Sequence, residues 1–214
     1  SLELVTGENI QNFKAQNARA IAEHLCPVMF GSIYDYSMGY GGRLLGITSS
    51  NMRYSYTGID PNTETIESLN YLNTLIDNPG TLVQSVSEEY QPTGIDLAFS
   101  SPPYFNLEKY SDEETQCMVK YNTLDEWFSG YVAPTMERIR EGLNKDGIFA
   151  TNIADYKTAK DEFKVVEGWI SYAERIGFEH TSTIKMMLNT RPGVGNNKLD
   201  GREKFEGVYV FRRK

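Results

Sequence analysis

Apolar runs of strand length alternate along this chain with stretches of helical spacing. That alternation predicts a parallel sheet with crossover helices, an α/β architecture. Residues 12–25 read as a first helix, with Phe13, Ile21 and Leu25 near helical spacing. A first strand is predicted over 28–34, and a helix over 41–50 opens after a Gly-rich turn. A second strand spans 56–59 and ends at Asp60-Pro61-Asn62. The stretch 63–75 is amphipathic, with Ile66, Leu69, Leu72 and Ile76 on one face, and stops at Asn78-Pro79-Gly80. Strands follow over 81–86 and 95–99. The next stretch, 105–122, reads as a polar connection with acidic residues at Asp112, Glu113 and Glu114; a connection of that length in a compact domain is usually functional or mobile. Beyond it come a long helix over 124–143, capped near Thr123, and a fifth strand over 147–153. A helix over 163–176 ends at Gly177. Strands over 183–188 and 208–212 read as a closing antiparallel pair. The segment 189–207 between them is rich in Gly and Asn and carries Arg191, Lys198, Arg202 and Lys204.

The 214 residues suffice for one well-packed domain, so 1–214 is read as a single unit. No apolar run approaches the roughly 20 residues that span a bilayer, and the N-terminus lacks the basic flank and apolar core of a signal peptide. The chain starts at Ser1 rather than Met, so processing or trimming is expected, with an upstream segment missing. The two cysteines, Cys26 and Cys117, suit buried thiols in a reducing compartment. With the two histidines they give no metal-ligand spacing: His24 stands two residues from Cys26, but Cys117 and His180 are each far from that pair and from one another. Net charge is −8, which argues against a strong grip on duplex DNA by this chain alone.

Two runs carry candidate chemistry. Residues 35–43 read Asp35-Tyr36-Ser37-Met38-Gly39-Tyr40-Gly41-Gly42-Arg43. Glycines there let the backbone turn sharply and approach a ligand, and N–H groups of the following helix are placed to face a carboxylate. Asp60 follows about 20 residues later, where an acidic side chain conventionally accepts ribose hydroxyls. A structural turn and a helix-capping Asp are the plain alternatives. The second run is Ser101-Pro102-Pro103-Tyr104, at the end of an apolar strand. Two prolines fix the backbone and remove two N–H donors. What remains is a rigid turn of carbonyls, with a hydroxyl before it and an aromatic ring after it. A flat ligand bearing an NH2 group suits that arrangement. The plain alternative is a turn that closes the strand with Tyr104 in the core.

The second run resembles the catalytic tetrapeptide of the amino-directed DNA methyltransferases, which is Asp-, Asn- or Ser-Pro-Pro-Tyr. The Ser form looks most like the N4-cytosine branch, with N6-adenine the other; that branch usually has Thr where this chain has Ser100. The first run, Asp-x-x-x-Gly-x-Gly-Gly, resembles the family's cofactor motif, whereas a nucleotide-binding G-x-G-x-x-G would need Gly where Leu44 stands. The chain is also similar to compact methylases carried by phages and prophages.

The resemblance implies a Rossmann-like methyltransferase fold: a doubly wound, mostly parallel seven-stranded sheet with a terminal antiparallel strand. It implies S-adenosyl-L-methionine as cofactor, held by Phe13, Asp35, Ser37, Gly39, Gly41, Asp60 and Ser85. It implies methyl transfer to a DNA base held by Ser101, Pro102, Pro103 and Tyr104, without metal or covalent intermediate. Ser85 to Glu88 matches the segment bordering the adenine ring, and Asn152 to Asp155 the strand end lining the target pocket. Phe105, Arg191, Lys198 and Arg202 are the substrate-binding candidates. The 5-methylcytosine branch, which needs a Cys directly after Pro, is excluded. Only about 40 residues separate Asp60 from Ser101, so no separate target-recognition domain is expected between them. Recognition falls to the 105–122 or 189–207 segments, a second subunit, a homodimer or a missing segment. A bacterial or phage-infected host cytoplasm and a role in restriction-modification follow from the same resemblance. Methylation of RNA or of a protein amide, and a non-catalytic binding subunit, are the competing readings.

Overall fold

Alternate residues along the central strands point to opposite sides, and both sides are buried. Tyr34, Ala98, Phe149 and Phe211 pack with Trp127, Met136 and Trp169 on one side. Ile33, Leu97, Phe99, Ala150 and Val210 pack with Ala18, Ile21, Leu44 and Ile47 on the other. A sheet apolar on both faces must be covered twice, so helices layer on either side. The structure, a computed structural model, describes residues 12–105, 113–157, 161–187 and 205–214.

In chain order the elements begin α1 (Ala15–Leu25), β1 (Ser32–Asp35), α2 (Gly42–Thr48), β2 (Ser55–Asp60), α3 (Thr63–Asn73), β3 (Thr81–Gln84) and β4 (Ile95–Ser100). Short helices α4 (Cys117–Lys120) and α5 (Leu124–Trp127) follow, and a π-helical turn, Phe128–Val132, leads into α6 (Ala133–Gly142). The chain closes with β5 (Leu143–Asn152), a small hairpin of β6 (Tyr156–Lys157) and β7 (Glu162–Phe163), α7 (Val165–Arg175), β8 (Phe178–Met187) and β9 (Phe205–Arg213). The main sheet has seven strands in the order β3-β2-β1-β4-β5-β9-β8. Pairing is parallel from β3 through β5, and β9 runs antiparallel to both β5 and β8. The expected Rossmann-like fold is present, closing antiparallel pair included.

The strand order reverses between β1 and β4. Ligands in open α/β sheets sit in the crevice beyond the carboxyl ends of the strands at such a switch point. Here the segments leaving that crevice are the Gly-rich turn after β1 and the Pro-Pro turn after β4.

Several predicted boundaries move. The first strand begins at Ser32 rather than residue 28, because Phe30 takes a φ of 60° and breaks the extended backbone. Val28, Met29 and Phe30 are consequently exposed. The single long helix expected over 124–143 is three pieces, split by the π turn. The turn expected at Asn144 to Gly147 lies inside β5, where the register jumps from Ile95–Leu143 to Leu97–Ile148. The polar connection carries α4, and the two-residue strands of the hairpin are too short to show a sequence period. Among the described residues no helix is long and apolar enough to cross a membrane.

Candidate active site

Asp35 ends β1 and is fully buried. Its Oδ2 accepts hydrogen bonds from Arg43 Nε at 2.9 Å and Tyr56 Oη at 2.8 Å, and its Oδ1 accepts from Ser100 Oγ at 2.6 Å. The carboxylate therefore sits behind the crevice and ties β1, β2, α2 and β4 together. Arg43 is just as confined, with 4% of its surface exposed. Beyond Asp35 it donates to the Ser37 carbonyl, to Ser100 Oγ at 3.3 Å and to Ser101 Oγ at 3.1 Å. One buried ion pair thus links the Gly-rich turn to the Pro-Pro turn.

The turn itself bends through Gly39 (φ 52°) and Gly41 (φ 80°), left-handed conformations that cost glycine little. Gly42 permits a closer approach: a Cβ there would lie 2.0 Å from the Phe13 carbonyl. Asn12 fastens the same contact, accepting from Gly42 N at 3.1 Å and donating to the Tyr40 carbonyl at 3.2 Å. The first N–H of α2, expected to face a ligand carboxylate, is thus used by Asn12. Phe13 is brought over the crevice, its ring edge-on to Phe99 at 5.7 Å with the Arg43 guanidinium 5.5 Å from its centroid.

Asp60 ends β2 and faces the same crevice. Its two oxygens accept from Gly39 N at 3.1 Å and Asn62 N at 3.0 Å. A carboxylate has about four acceptor positions, so capacity for two further donors remains. Burial pushes its pKa up to about 6, against the pull of the Asn62 and Gly39 N–H groups. Helix capping at this corner belongs to Asn62, which accepts from Thr65 N at 2.8 Å.

After β4, Ser101, Pro102, Pro103 and Tyr104 line the crevice wall. Ser101 Oγ donates to Asn152 Oδ1 at 3.2 Å. Tyr104 is half-buried, set edge-on to Tyr156 at 5.3 Å, and Tyr156 stacks on Phe163 at 5.0 Å. Phe105 is buried against Phe163, and its carbonyl accepts from Tyr156 Oη. The β6–β7 hairpin therefore backs the tetrapeptide with an aromatic stack.

The opposite wall comes from the π turn and from β3's exit. The wide turn carries Tyr131 inward, where its hydroxyl meets Ser37 Oγ at 3.0 Å; burial holds that phenol well above its ordinary pKa. π turns inside α-helices are frequent at functional sites. Val86, Ser87, Glu88, Gln116 and Cys117 complete this end, and the Gln116 amide nitrogen is buried without a hydrogen-bond partner among the described residues. The cavity, open to solvent on one side, measures about 750 Å³, in the range of small-molecule and cofactor sites.

The cavity gathers Phe13, Ser37, Gly39, Asp60 and the whole tetrapeptide. Asp35 and Gly41 lie behind it: Asp35 as an internal tie, Gly41 against Leu69, which a Cβ would meet at 2.6 Å. Ser85, expected to hold the cofactor, does not line the cavity: its N–H donates to the Asp60 carbonyl at 3.2 Å, and its neighbours Val86 to Glu88 form the wall. Arg191, Lys198 and Arg202 lie outside the described residues. Arg43, Tyr131, Gln116 and Tyr156 were not identified from sequence. Arg43 alone carried a signal, a charge directly after the glycine pair in a helix otherwise patterned for burial.

No protein-family model matches the chain, and no curated protein matches its sequence. Solved structures match its fold. A SAM-dependent O-methyltransferase from Thermotoga maritima aligns with a TM-score of 0.60 at 13% identity, over 95% of this chain and 67% of that one. A precorrin-6y C5,15-methyltransferase from Geobacter metallireducens aligns with 0.59 at 11% identity, over 93% and 88%. The cyclase SpnF aligns with 0.61 at 11% identity, over 93% and 81%. At these identities the likeness is one of fold, and one fold hosts several chemistries.

Proposed function

We propose that this chain transfers a methyl group from S-adenosyl-L-methionine to an exocyclic amine of a DNA base, with N4 of cytosine ahead of N6 of adenine. One observation carries the reading: Asp60 and the Ser101 to Tyr104 turn line a single cavity at the switch point of the sheet. The fold shared with SAM-dependent methyltransferases supports the class, and the tetrapeptide supports the amine.

The residues present fit the cofactor. Asp60 has spare acceptor capacity for a ribose diol, and Phe13 offers an apolar face beside the Gly-rich turn. The wall from Val86 to Glu88, with Gln116, is placed to border a purine. When bound, the cofactor supplies an electrophilic methyl on a sulfonium. The protein's task is positioning, which in favourable cases lowers a barrier by about 7–11 kcal/mol. An exocyclic amine is a poor nucleophile because its lone pair is delocalised into the ring. Ser101 Oγ and the Pro102 carbonyl accept its two N–H bonds and draw the nitrogen toward tetrahedral geometry. Tyr104, braced by Tyr156, stacks on the base. In duplex DNA the base must first be flipped out, which costs a few kcal/mol. Arg191, Lys198 and Arg202 are assigned to phosphate contact, and target choice to these segments or to a second subunit.

The net charge of −8 disfavours any polyanion and so supports a second reading, in which a protein amide is methylated; RNA stays beside it as the other non-DNA substrate. The deciding experiment incubates the protein with labelled S-adenosyl-L-methionine and unmethylated DNA, RNA or cell protein, and identifies methylated nucleosides and amino acids by mass spectrometry. N4-methylcytosine or N6-methyladenine in DNA is the expected product. A methylated ribonucleoside or glutamine supports the second reading instead. No product in any arm, with cofactor binding confirmed, overturns both for this chain acting alone and favours a missing recognition partner or the non-catalytic binding subunit.

A further inference from the structure

Ser101 carries a hydroxyl, which has one proton to donate and two lone pairs to accept with. Two neighbours leave it no choice in how these are used. The Arg43 guanidinium can only donate, and its Nη1 lies 3.1 Å from Ser101 Oγ, so one lone pair is taken. Arg43 cannot turn away, because its Nε is held by Asp35 and its Nη2 by Ser37 and Ser100. On the other side, Asn152 Nδ2 donates to the Gly207 carbonyl at 3.1 Å. A carbonyl only accepts, so the amide orientation is fixed, and Asn152 Oδ1 is the atom 3.2 Å from Ser101. That oxygen also only accepts, so the Ser101 proton must point at it. What Ser101 presents to the cavity is its one remaining lone pair.

We propose that Arg43 and Asn152 are positioning residues that lock Ser101 as an acceptor, and that this lock makes the site select an N–H donor over an oxygen at the reacting position. An unlocked serine rotates to donate, and so serves a carbonyl oxygen as well as an amine. With the proton committed to Asn152, a carbonyl in the amine's place sets lone pair against lone pair and leaves both unsatisfied. That mismatch separates cytosine from uracil, and adenine from hypoxanthine, by the chemistry of one atom. An unpaired buried polar contact corresponds to a discrimination on the order of 10- to 100-fold. The inference rests on the proposed contact between Ser101 and the base.

The test uses the DNA in which the wild-type protein makes its methylated base, and the same DNA with that base replaced by its oxo counterpart, uracil or hypoxanthine. The oxo DNA is assayed as a competitive inhibitor, and S-adenosylhomocysteine affinity and thermal midpoint are followed in every protein. Wild type is expected to bind the oxo DNA on the order of 10- to 100-fold more weakly than the amine DNA. Asn152→Leu frees the Ser101 proton, so the ratio should fall severalfold, to what the Pro102 carbonyl alone maintains, and turnover should fall, with S-adenosylhomocysteine affinity retained. Asn152→Asp keeps an acceptor toward Ser101 while losing the bond to Gly207, and should keep most of the discrimination. A purely structural role through Gly207 predicts that the two variants behave alike, and that result would overturn the lock. Equal binding of the two DNAs by wild type overturns it as well, while leaving the methylation reading intact. Failure of wild type to methylate any base overturns both together. Should Asn152→Leu not fold, Asn152→Ala removes the same acceptor from Ser101 and decides in its place: an unchanged ratio there would overturn the lock.

Discussion

Asp60 shows how one side chain links the ionisation of the site to its binding. Its pKa, raised by burial to about 6, lies far above the ordinary 3.8. Ribose hydroxyls need an acceptor carboxylate, so affinity for S-adenosylhomocysteine should fall as pH drops from neutral through about 6, by at most about tenfold per unit. The stability of the empty protein moves the other way. A group whose folded pKa is raised stabilises the fold below its unfolded pKa, and that contribution is lost as pH rises through about 6. Asp60→Asn should weaken binding and flatten both dependences, and titration calorimetry across pH reads the first. A steep dependence that survives in Asp60→Asn would reassign the titration to another group. Ser101→Ala separates substrate from cofactor: turnover should drop by at least about 100-fold while S-adenosylhomocysteine binding stays within a few-fold, since losing a hydrogen bond to a reacting group costs roughly 2.7–4 kcal/mol. Parallel loss of both would remove Ser101 from its assigned role.

At the scale of elements, the site depends on how closely α1 approaches α2. A Cβ on Gly46 would lie 2.1 Å from the Ala15 carbonyl, and one on Gly42 would strike the Phe13 carbonyl, so the two helix starts pack backbone to backbone. Gly46→Ala should therefore destabilise the protein by about 1–3 kcal/mol despite the better helix propensity of alanine, because nothing flexible is available to yield. Chemical denaturation measures this, and a neutral or stabilising result would show that α1 can slide. The π turn is the other element-scale device. Residues 124–143 read as one helix because their apolar spacing is continuous, and nothing in that spacing marks the wider turn that brings Tyr131 to Ser37. Likewise the two-residue strands β6 and β7 were invisible, although their aromatic stack supports Tyr104 and Phe105. Strand ends were displaced where the chain broke extended geometry without Gly or Pro at that residue, as at Phe30.

Across the whole molecule, the cavity is an assembly of segments from α1, the π turn and the ends of β1, β2, β4, β5, β8 and β9, formed only in the folded state. A ligand that fits it binds the native chain and not the unfolded one. S-adenosylhomocysteine at 100 times its dissociation constant should thus raise stability by about 2.7 kcal/mol, seen as a higher thermal midpoint. An unshifted midpoint at that saturation would deny the nucleoside reading of the cavity. The alternation of strand-like and helix-like runs determined the α/β class, because periodicity reports which faces must be buried. The Gly-rich turn, Asp60 and Ser101-Pro102-Pro103-Tyr104 were legible because turn chemistry and functional chemistry are written in adjacent residues. What only the tertiary structure decided is which of these groups face the cavity and in what hydrogen-bonding state. Asp35 reads in sequence as a cofactor ligand of the same kind as Asp60, yet in the fold it is saturated by Arg43, Tyr56, Ser100 and the Ser37 N–H behind the wall. The roles of Arg43 and Asn152 toward Ser101 arise from contacts 58 and 51 residues apart in sequence. No local pattern encodes the direction of a hydroxyl proton, because that direction is set by partners that meet only when the sheet is assembled.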